Sequence, residues 1–244
     1  MSLNSSHLPA WMEGNALFRF LFLLRKLYLT RTKFKHFSQF AEDVSILCLF
    51  PKNYRGFFVD VGCFHPKKYN NTWQLYKKGW RGVNVDIDAI KIQGFNIVRP
   101  QDINIASAVS NTEGEITYYS HGFYSLTSSL DEKFTAGKSG YLQKKTKAKR
   151  LSDILDATKY AGQEIDFLSV DAEAHDLEVL MSLDFDRYQP KLIAVETHRA
   201  LLTEVIKEPL YQFLVEKNYC LVGWCGLTLL MANQALQQTL ASRV

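Results

Sequence analysis

Residues Phe57 to Asp88 limit what this chain can fold into more than any other stretch. They read FFVDVGCFHPKKYNNTWQLYKKGWRGVNVDID. The run Phe57-Phe58-Val59-Asp60-Val61 is apolar without a clean alternation, as a strand covered on both faces of a parallel sheet must be. It stops at Gly62, where a sharp turn or a close backbone approach is expected. A helical segment, Asn71 to Lys78, follows and ends at Gly79. A second apolar strand, Gly82 to Ile87, then closes on Asp86 and Asp88. Strand, glycine turn, helix, and strand with a terminal acid form the nucleotide half of a doubly wound sheet, whose ligand lies beyond the carboxyl ends of the strands.

The glycines that let a pyrophosphate approach the backbone are missing. After Gly62 come Cys63, Phe64, His65 and Pro66 rather than G-x-G-x-x-G. This argues against NAD or FAD and for an adenosine ligand without phosphate, such as S-adenosylmethionine. A carboxylate at Asp86 can accept hydrogen bonds from both ribose hydroxyls. The competing reading is a purely structural turn, since Gly and Asp also end strands for turn chemistry alone.

The remaining chain extends this pattern. Phe37 to Phe50 reads as a helix with Ser38 as N-cap and Glu42 in its first turn. Strands are expected over Ile103 to Ser110, Ile165 to Val170 and Leu192 to Val195, with a further β segment at Glu115 to Ser120. A helix is expected over Glu204 to Asn218. Tyr219 to Trp224 and Leu227 to Ala232, joined around Cys225-Gly226, read as a closing hairpin. The expected fold is α/β: a mostly parallel, seven-stranded, Rossmann-like sheet with helices on both faces and a C-terminal antiparallel hairpin. At 244 residues, one such domain with a small extension accounts for the length. The expected division is a leader and apolar, basic helix over 1–36 and the main domain over 37–244. Within that domain 121–150 is a mobile, basic insertion carrying Lys144-Lys145-Thr146-Lys147-Ala148-Lys149-Arg150.

Ala16 to Leu29 (ALFRFLFLLRKLYL) is too short to span a bilayer and is interrupted by Arg19, Arg25 and Lys26. It has no small-residue cleavage site. Two readings stand: a helix packed on the domain or on a second subunit, and a basic amphipathic helix resting on a membrane surface. The four cysteines, Cys48, Cys63, Cys220 and Cys225, show neither a C-x-x-C pair nor metal spacing. Free thiols imply a reducing compartment, so a cytoplasmic protein, peripheral to a membrane on the second reading. A net charge of +4 requires no DNA partner.

Parallel strands bring their carboxyl ends to one rim. That rim collects Asp60, Gly62 and Asp86, then Asp171, Glu173 and His175, then Glu196 and His198. Such clustering of titratable groups is a site signature. Methylation of a neutral hydroxyl needs a base within hydrogen-bond reach. His175 and His198 are the first candidates, with Glu173 and Glu196 as orienting groups or alternative bases. Asp171, Glu196 and a neighbouring acid also suit Mg²⁺, although no dedicated metal motif is present.

Several blocks together resemble the FkbM-type S-adenosylmethionine-dependent methyltransferases. They are Ser38-Gln39-Phe40-Ala41-Glu42-Asp43, Phe58-Val59-Asp60-Val61-Gly62-Cys63-Phe64-His65-Pro66, Asn71-Thr72 and Lys77 to Asp86. They continue with Arg99 to Asn104, Ala108-Val109-Ser110, Ser128-Ser129-Leu130, Asp166 to Glu173 and Val195-Glu196. The resemblance implies a class I methyltransferase fold, S-adenosylmethionine as donor, and O-methylation of a sugar, glycan or polyketide hydroxyl. By position it implies that Asp60 and Gly62 line the methionine end of the donor and that Asp86 takes the ribose. Asp102 and Ile103 would flank the adenine, while Asp171 and Glu173 face the transferred methyl. Gln39, Glu42, Cys63, Asn71 and Ile87 complete the expected donor site. Ala174 stands where the family usually has Gly.

The leading expectation is therefore an enzyme that methylates a carbohydrate or glycan acceptor. An RNA-modifying methyltransferase that uses the lysines of 133–150 on phosphates, and a non-catalytic binding module, are the alternatives.

Overall fold

The structure, a computed structural model, describes residues 15–28, 35–112, 114–120, 128–129 and 142–242. It divides into two compact units, Met1–Lys35 and His36–Val244. In the first, helix α1 (Ala16–Tyr28) has no buried residue. The leader up to residue 14 lies outside the described residues, as do 121–127 and 130–141 of the basic insertion.

The second unit opens with α2 (Glu42–Leu49) and β1 (Phe57–Val61), followed by α3 (Trp73–Lys77) and β2 (Arg81–Asp86). Next come α4 (Ala89–Val98), β3 (Ile103–Ala106), β4 (Ala108–Val109), β5 (Gly114–Ser120), β6 (Ser128–Ser129) and β7 (Leu142–Lys149). Then follow α5 (Leu151–Asp156), β8 (Phe167–Val170), α6 (Asp176–Met181), α7 (Phe185–Tyr188) and β9 (Leu192–Glu196). The last elements are α8 (Leu202–Val205), α9 (Pro209–Glu216), β10 (Cys220–Cys225), β11 (Thr228–Ala232) and α10 (Gln234–Ala241).

Seven strands form the main sheet in the order β10-β11-β9-β8-β1-β2-β3. Neighbours from β9 through β3 pair in parallel, and β11 runs antiparallel between β9 and β10. The unbroken apolar run of β1 follows from its central place: all five residues are buried. Phe57, Val59 and Val61 point to one face, where α5, α6 and α9 cover them through Leu151, Val179 and Leu214. Phe58 points to the other, against Ile46 of α2, Leu75 of α3 and Leu236 of α10.

Four local readings differ from the structure. The strand expected over Ile103 to Ser110 breaks at Ser107; its first half joins the main sheet and its second pairs with β7. The basic run is no irregular loop over 142–149: β7 pairs along the whole of β5 in a second, four-stranded sheet, β4-β7-β5-β6. The helix at 204–218 is split by Pro209, which starts α9 at its first turn. Ser38 is not the N-cap residue of α2, although its Oγ accepts from Asp43 N in the first turn at 3.1 Å. Its hydroxyl donates to Asp43 Oδ1 at 2.9 Å, and α2 starts after Ala41, which has φ 64°.

Candidate active site

A cavity of about 300 Å³ opens at the carboxyl rim, where β1, β2, β3 and β8 end together. Gly62 forms its floor. With φ +74°, its amide donates to Val85 O at 2.9 Å, tying the turn to β2. A Cβ at this position would stand 1.8 Å from Asp171 O. The ends of β1 and β8 are therefore too close for any side chain, which is the physical content of the glycine.

Asp86 closes β2 beside this turn, 4 % exposed and on the cavity wall. Its Oδ2 accepts from Phe64 N at 3.0 Å, its Oδ1 from Asp88 N at 2.9 Å, and Lys91 Nζ stands 3.7 Å away. Burial raises its pKa, opposed by Lys91 and by the two amides. A carboxylate has about four lone-pair sites, so two amides leave it capacity for a ligand's hydroxyls. Ile87, Ser107, Ala108 and Val109 continue the wall from Asp86, giving it an apolar side with few polar atoms.

The third wall is acidic. Asp171 and Glu173 follow β8 and line the cavity. Burial, then the charges of Glu196, Asp176, Glu173 and Asp60, hold the Asp171 carboxyl well above the usual range. Glu196, ending β9, is pushed up to about 7 by burial and by Asp176 and Glu173, against His198. Asp176 rises to about 6 by burial, although its Oδ1 accepts from Ala172 N at 2.7 Å. These carboxylates share a small volume with too little positive charge, so they compete for ionisation.

Behind the Gly62 turn, loop 62–72 is fixed from below. Arg99 is fully buried. Its Nε and Nη2 donate to Pro66 O at 2.9 and 2.7 Å, Nη2 to Asn70 Oδ1 at 2.6 Å, and Nη1 to Thr72 Oγ1 at 2.7 Å. Thr72 and Asn70 in turn donate to Asp60 Oδ2 at 2.7 and 3.2 Å. A guanidinium satisfies this loop because its fixed fork reaches three chain positions at once.

Backbone strain gathers around the cavity. Of the six non-glycine residues with positive φ among those described, five are Ala41, Phe64, Tyr69, Glu173 and Ala174. All lie in the three loops that carry wall residues Gln39, Phe64, Tyr69 and Glu173. Left-handed backbone costs about 1–2 kcal/mol per non-glycine residue. Such residues persist where surrounding structure over-determines them, and they concentrate at functional sites.

The expected residues divide accordingly. Gln39, Gly62, Asp86, Ile87, Asp171 and Glu173 meet at the cavity. Asp102 and Ile103 do not: they begin β3 rather than end it. Asp102 accepts from Gly82 N at 3.0 Å at the opposite edge, its pKa raised by burial to about 6. At about 3.3 Å per residue, a four-residue strand holds them roughly 13 Å from the rim. Ser107, Ala108 and Val109 occupy the place assigned to them. Asp60 lies beneath the wall with Thr72 and Asn70. Cys63 is buried with Ile92 and Phe95. Asn71 donates to Ser169 at 3.3 Å, and Glu42 accepts from Phe40 N at 2.7 Å and Thr228 Oγ1 at 3.2 Å.

His175 is off the wall. Its Nε2 lies 3.2 Å from Ser110 Oγ and its Nδ1 3.6 Å from Glu178, and burial lowers its pKa against the Glu178 charge. His198 is exposed, close enough to Asp176 and Glu196 to favour their charged forms. The described residues contain no group of three or more His, Cys, Asp or Glu placed to hold a metal ion, so the Mg²⁺ reading finds no ligand set there. The sequence reading missed Phe64, Tyr69, Lys91 and Ser107 to Val109 on the wall, and Asp176 beside it. The polar Ser107 inside an apolar run was the available signal for the end of β3.

The strand order, with an antiparallel strand inserted next to last at one edge and a cavity at the switch between β1 and β8, is the architecture of a class I methyltransferase. The Methyltransferase FkbM domain matches residues 60–219, and the chain belongs to that family. A crystal structure of methyltransferase FkbM from Methylobacillus flagellatus KT is similar at 14% identity with a TM-score of 0.47, over 72% of this chain. The chain spans 43% of that protein's chain. Comparison with curated proteins gives no match.

Proposed function

We propose that the protein is an S-adenosylmethionine-dependent O-methyltransferase acting on a hydroxyl of a sugar or glycan. The carrying observation is the cavity itself, which joins a side-chain-free turn at Gly62, a buried carboxylate at Asp86 and an acidic wall at Asp171 and Glu173. Its parts suit an adenosyl sulfonium. Asp86 accepts from the ribose hydroxyls. Ile87, Ala108 and Val109 cover the adenine. Asp171 and Glu173 stand where the positive charge of a sulfonium would favour their ionised forms. The volume fits a small ligand, whose pockets start at about 300 Å³.

The donor supplies an electrophilic methyl group. The protein's own residues do the rest. The 62–72 loop and the β3 end keep water from the donor. The acceptor oxygen attacks from the side of Glu173, and its proton passes to a carboxylate of the acidic cluster. Glu196 is off the cavity wall but is coupled in charge to Asp171 and Glu173 on it, and its pKa, raised to about 7, suits this task near neutral pH.

Titration with S-adenosylhomocysteine tests the reading. Binding is expected for the wild type, weakened in Asp86→Asn by about 10- to 100-fold, the worth of a hydrogen bond to a charged group. No binding by the wild type overturns it. Comparing glycans by mass spectrometry from cells with and without the gene then tests the acceptor class, with one methylene's mass lost as the expected change.

A second reading rests on β7. Lys145, Lys147 and Lys149 are exposed on one face of that strand, as an RNA backbone would require, although Lys145 is paired with Glu115 at 2.7 Å. Salt-sensitive RNA binding lost on replacing these lysines would favour it.

A further inference from the structure

We propose that α1 is a docking surface for an anionic lipid membrane on which the helix lies flat. The helix buries none of its residues. Leu17, Phe20, Leu27 and Tyr28 are 59–78 % exposed. At 100° per residue, Leu17, Phe20, Leu21, Leu24, Leu27 and Tyr28 fall within an arc of about 120°. Arg25 lies about 40° beyond one edge of this arc, while Arg19 and Lys26 lie about 80° and 100° beyond the other, on the back of the helix. A long basic side chain placed as Arg25 is extends to lipid headgroups while its stem stays on the apolar face.

Charge selects the occupant. Residues 16–36 contain Arg19, Arg25, Lys26, Arg31, Lys33 and Lys35, and no acid. The whole chain is +4 and this segment supplies +6, which leaves −2 elsewhere. Two copies packed through this face would bring like charges together with no carboxylate to pair them. An anionic surface meets both the apolar arc and the positive charge of the segment. The helix also fits the plane of a membrane rather than its depth. Thirteen residues extend about 20 Å against a hydrocarbon core of about 30 Å, and no described helix is long and apolar enough to cross a membrane.

The test is flotation of the full chain with vesicles of phosphatidylcholine alone or mixed with phosphatidylglycerol. Flotation is expected with the mixed vesicles only, weakening as salt rises. Reversing Arg19, Arg25 and Lys26 to Glu is expected to lower partitioning by at least about a hundredfold, the worth of three cations alone. Phe20→Ser with Leu24→Ser is expected to abolish it, with S-adenosylhomocysteine binding unchanged as a control for folding. Three outcomes overturn the proposal: no flotation with either vesicle, equal flotation with both, or flotation that survives charge reversal. A dimer in solution that Phe20→Ser with Leu24→Ser dissolves, without vesicle binding, assigns the face to a second copy instead.

Discussion

Replacing Arg99 by methionine isolates what holds the Gly62 loop in place. The substitution keeps an apolar stem between Trp73, Tyr76 and Phe95, whose rings lie 5.3, 5.6 and 5.0 Å from the guanidinium carbon. It removes both donors to Pro66 O and the donors to Asn70 and Thr72. It also strips Asp60 of its positive neighbour. Leaving a buried charge without its compensating neighbour costs about 3–5 kcal/mol where the two are in contact; Arg99 reaches Asp60 through Thr72 and Asn70, and with the four lost hydrogen bonds that range is the expected deficit in urea unfolding near neutral pH. The deficit must depend on pH. The pKa of Asp60 is already raised by burial, with Thr72, Arg99 and Asn70 opposing the rise; without Arg99 it rises further. A carboxyl with a raised folded pKa holds more protons folded than unfolded, so stability falls as pH climbs from the unfolded value towards the folded one. The variant should therefore lag the wild type less at the lower of two pH values spanning that rise and more at the higher. Adding Asp60→Asn should restore part of the loss and flatten that slope. A deficit below about 1 kcal/mol, the size of an ordinary hydrogen bond, or one equal at both pH values, would refute the buried-pair reasoning.

Three further outcomes are expected. Gly62→Ala places a methyl against Asp171 O in a left-handed backbone; it should abolish S-adenosylhomocysteine binding by calorimetry and cost at least about 1–2 kcal/mol, and unchanged affinity would show that the ends of β1 and β8 can separate. Ala174→Gly relieves φ 72° and should stabilise by about 0.5–1 kcal/mol after glycine's entropy cost; a lower melting temperature would contradict this. Glu196 and Asp176, raised to about 7 and about 6, make the fold gain stability as pH falls from about 8 to about 6. In Glu196→Gln that gain should shrink, and an identical pH profile would exclude Glu196 as its source.

The sequence carried the fold well because burial dictates composition. Strands covered on both faces must be apolar, so β1, β2, β8 and β9 stood out, and the reversal to an antiparallel edge followed from the hairpin at Cys225-Gly226. The site was legible where a residue's role is set by its place at a strand's end, as with Gly62, Asp86 and Asp171. It failed where the end itself was misjudged. The family resemblance puts Asp102 and Ile103 at the adenine although they lie at the start of β3, and Ser107 divides what reads as one strand. His175 drew attention by its residue type, but its partners, Ser110 and Glu178, come from packing that no local pattern announces. Arg99 lay inside the FkbM-like blocks without a role, because its four loop bonds join residues far apart in the chain.

One wall of the cavity begins at Gln39, and the chain's last hairpin secures it. Glu42 accepts from Thr228, Ser45 meets Cys225 at 3.2 Å, and Gly226 leaves room for the Phe40 ring, which a Cβ would strike at 2.3 Å. Both partners in this closure, 37–45 and 225–228, lie outside the matched residues 60–219. A nascent chain thus possesses every parallel strand before it can finish the pocket. Truncation after Tyr219 would leave a sheet whose mouth on that side has lost its latch.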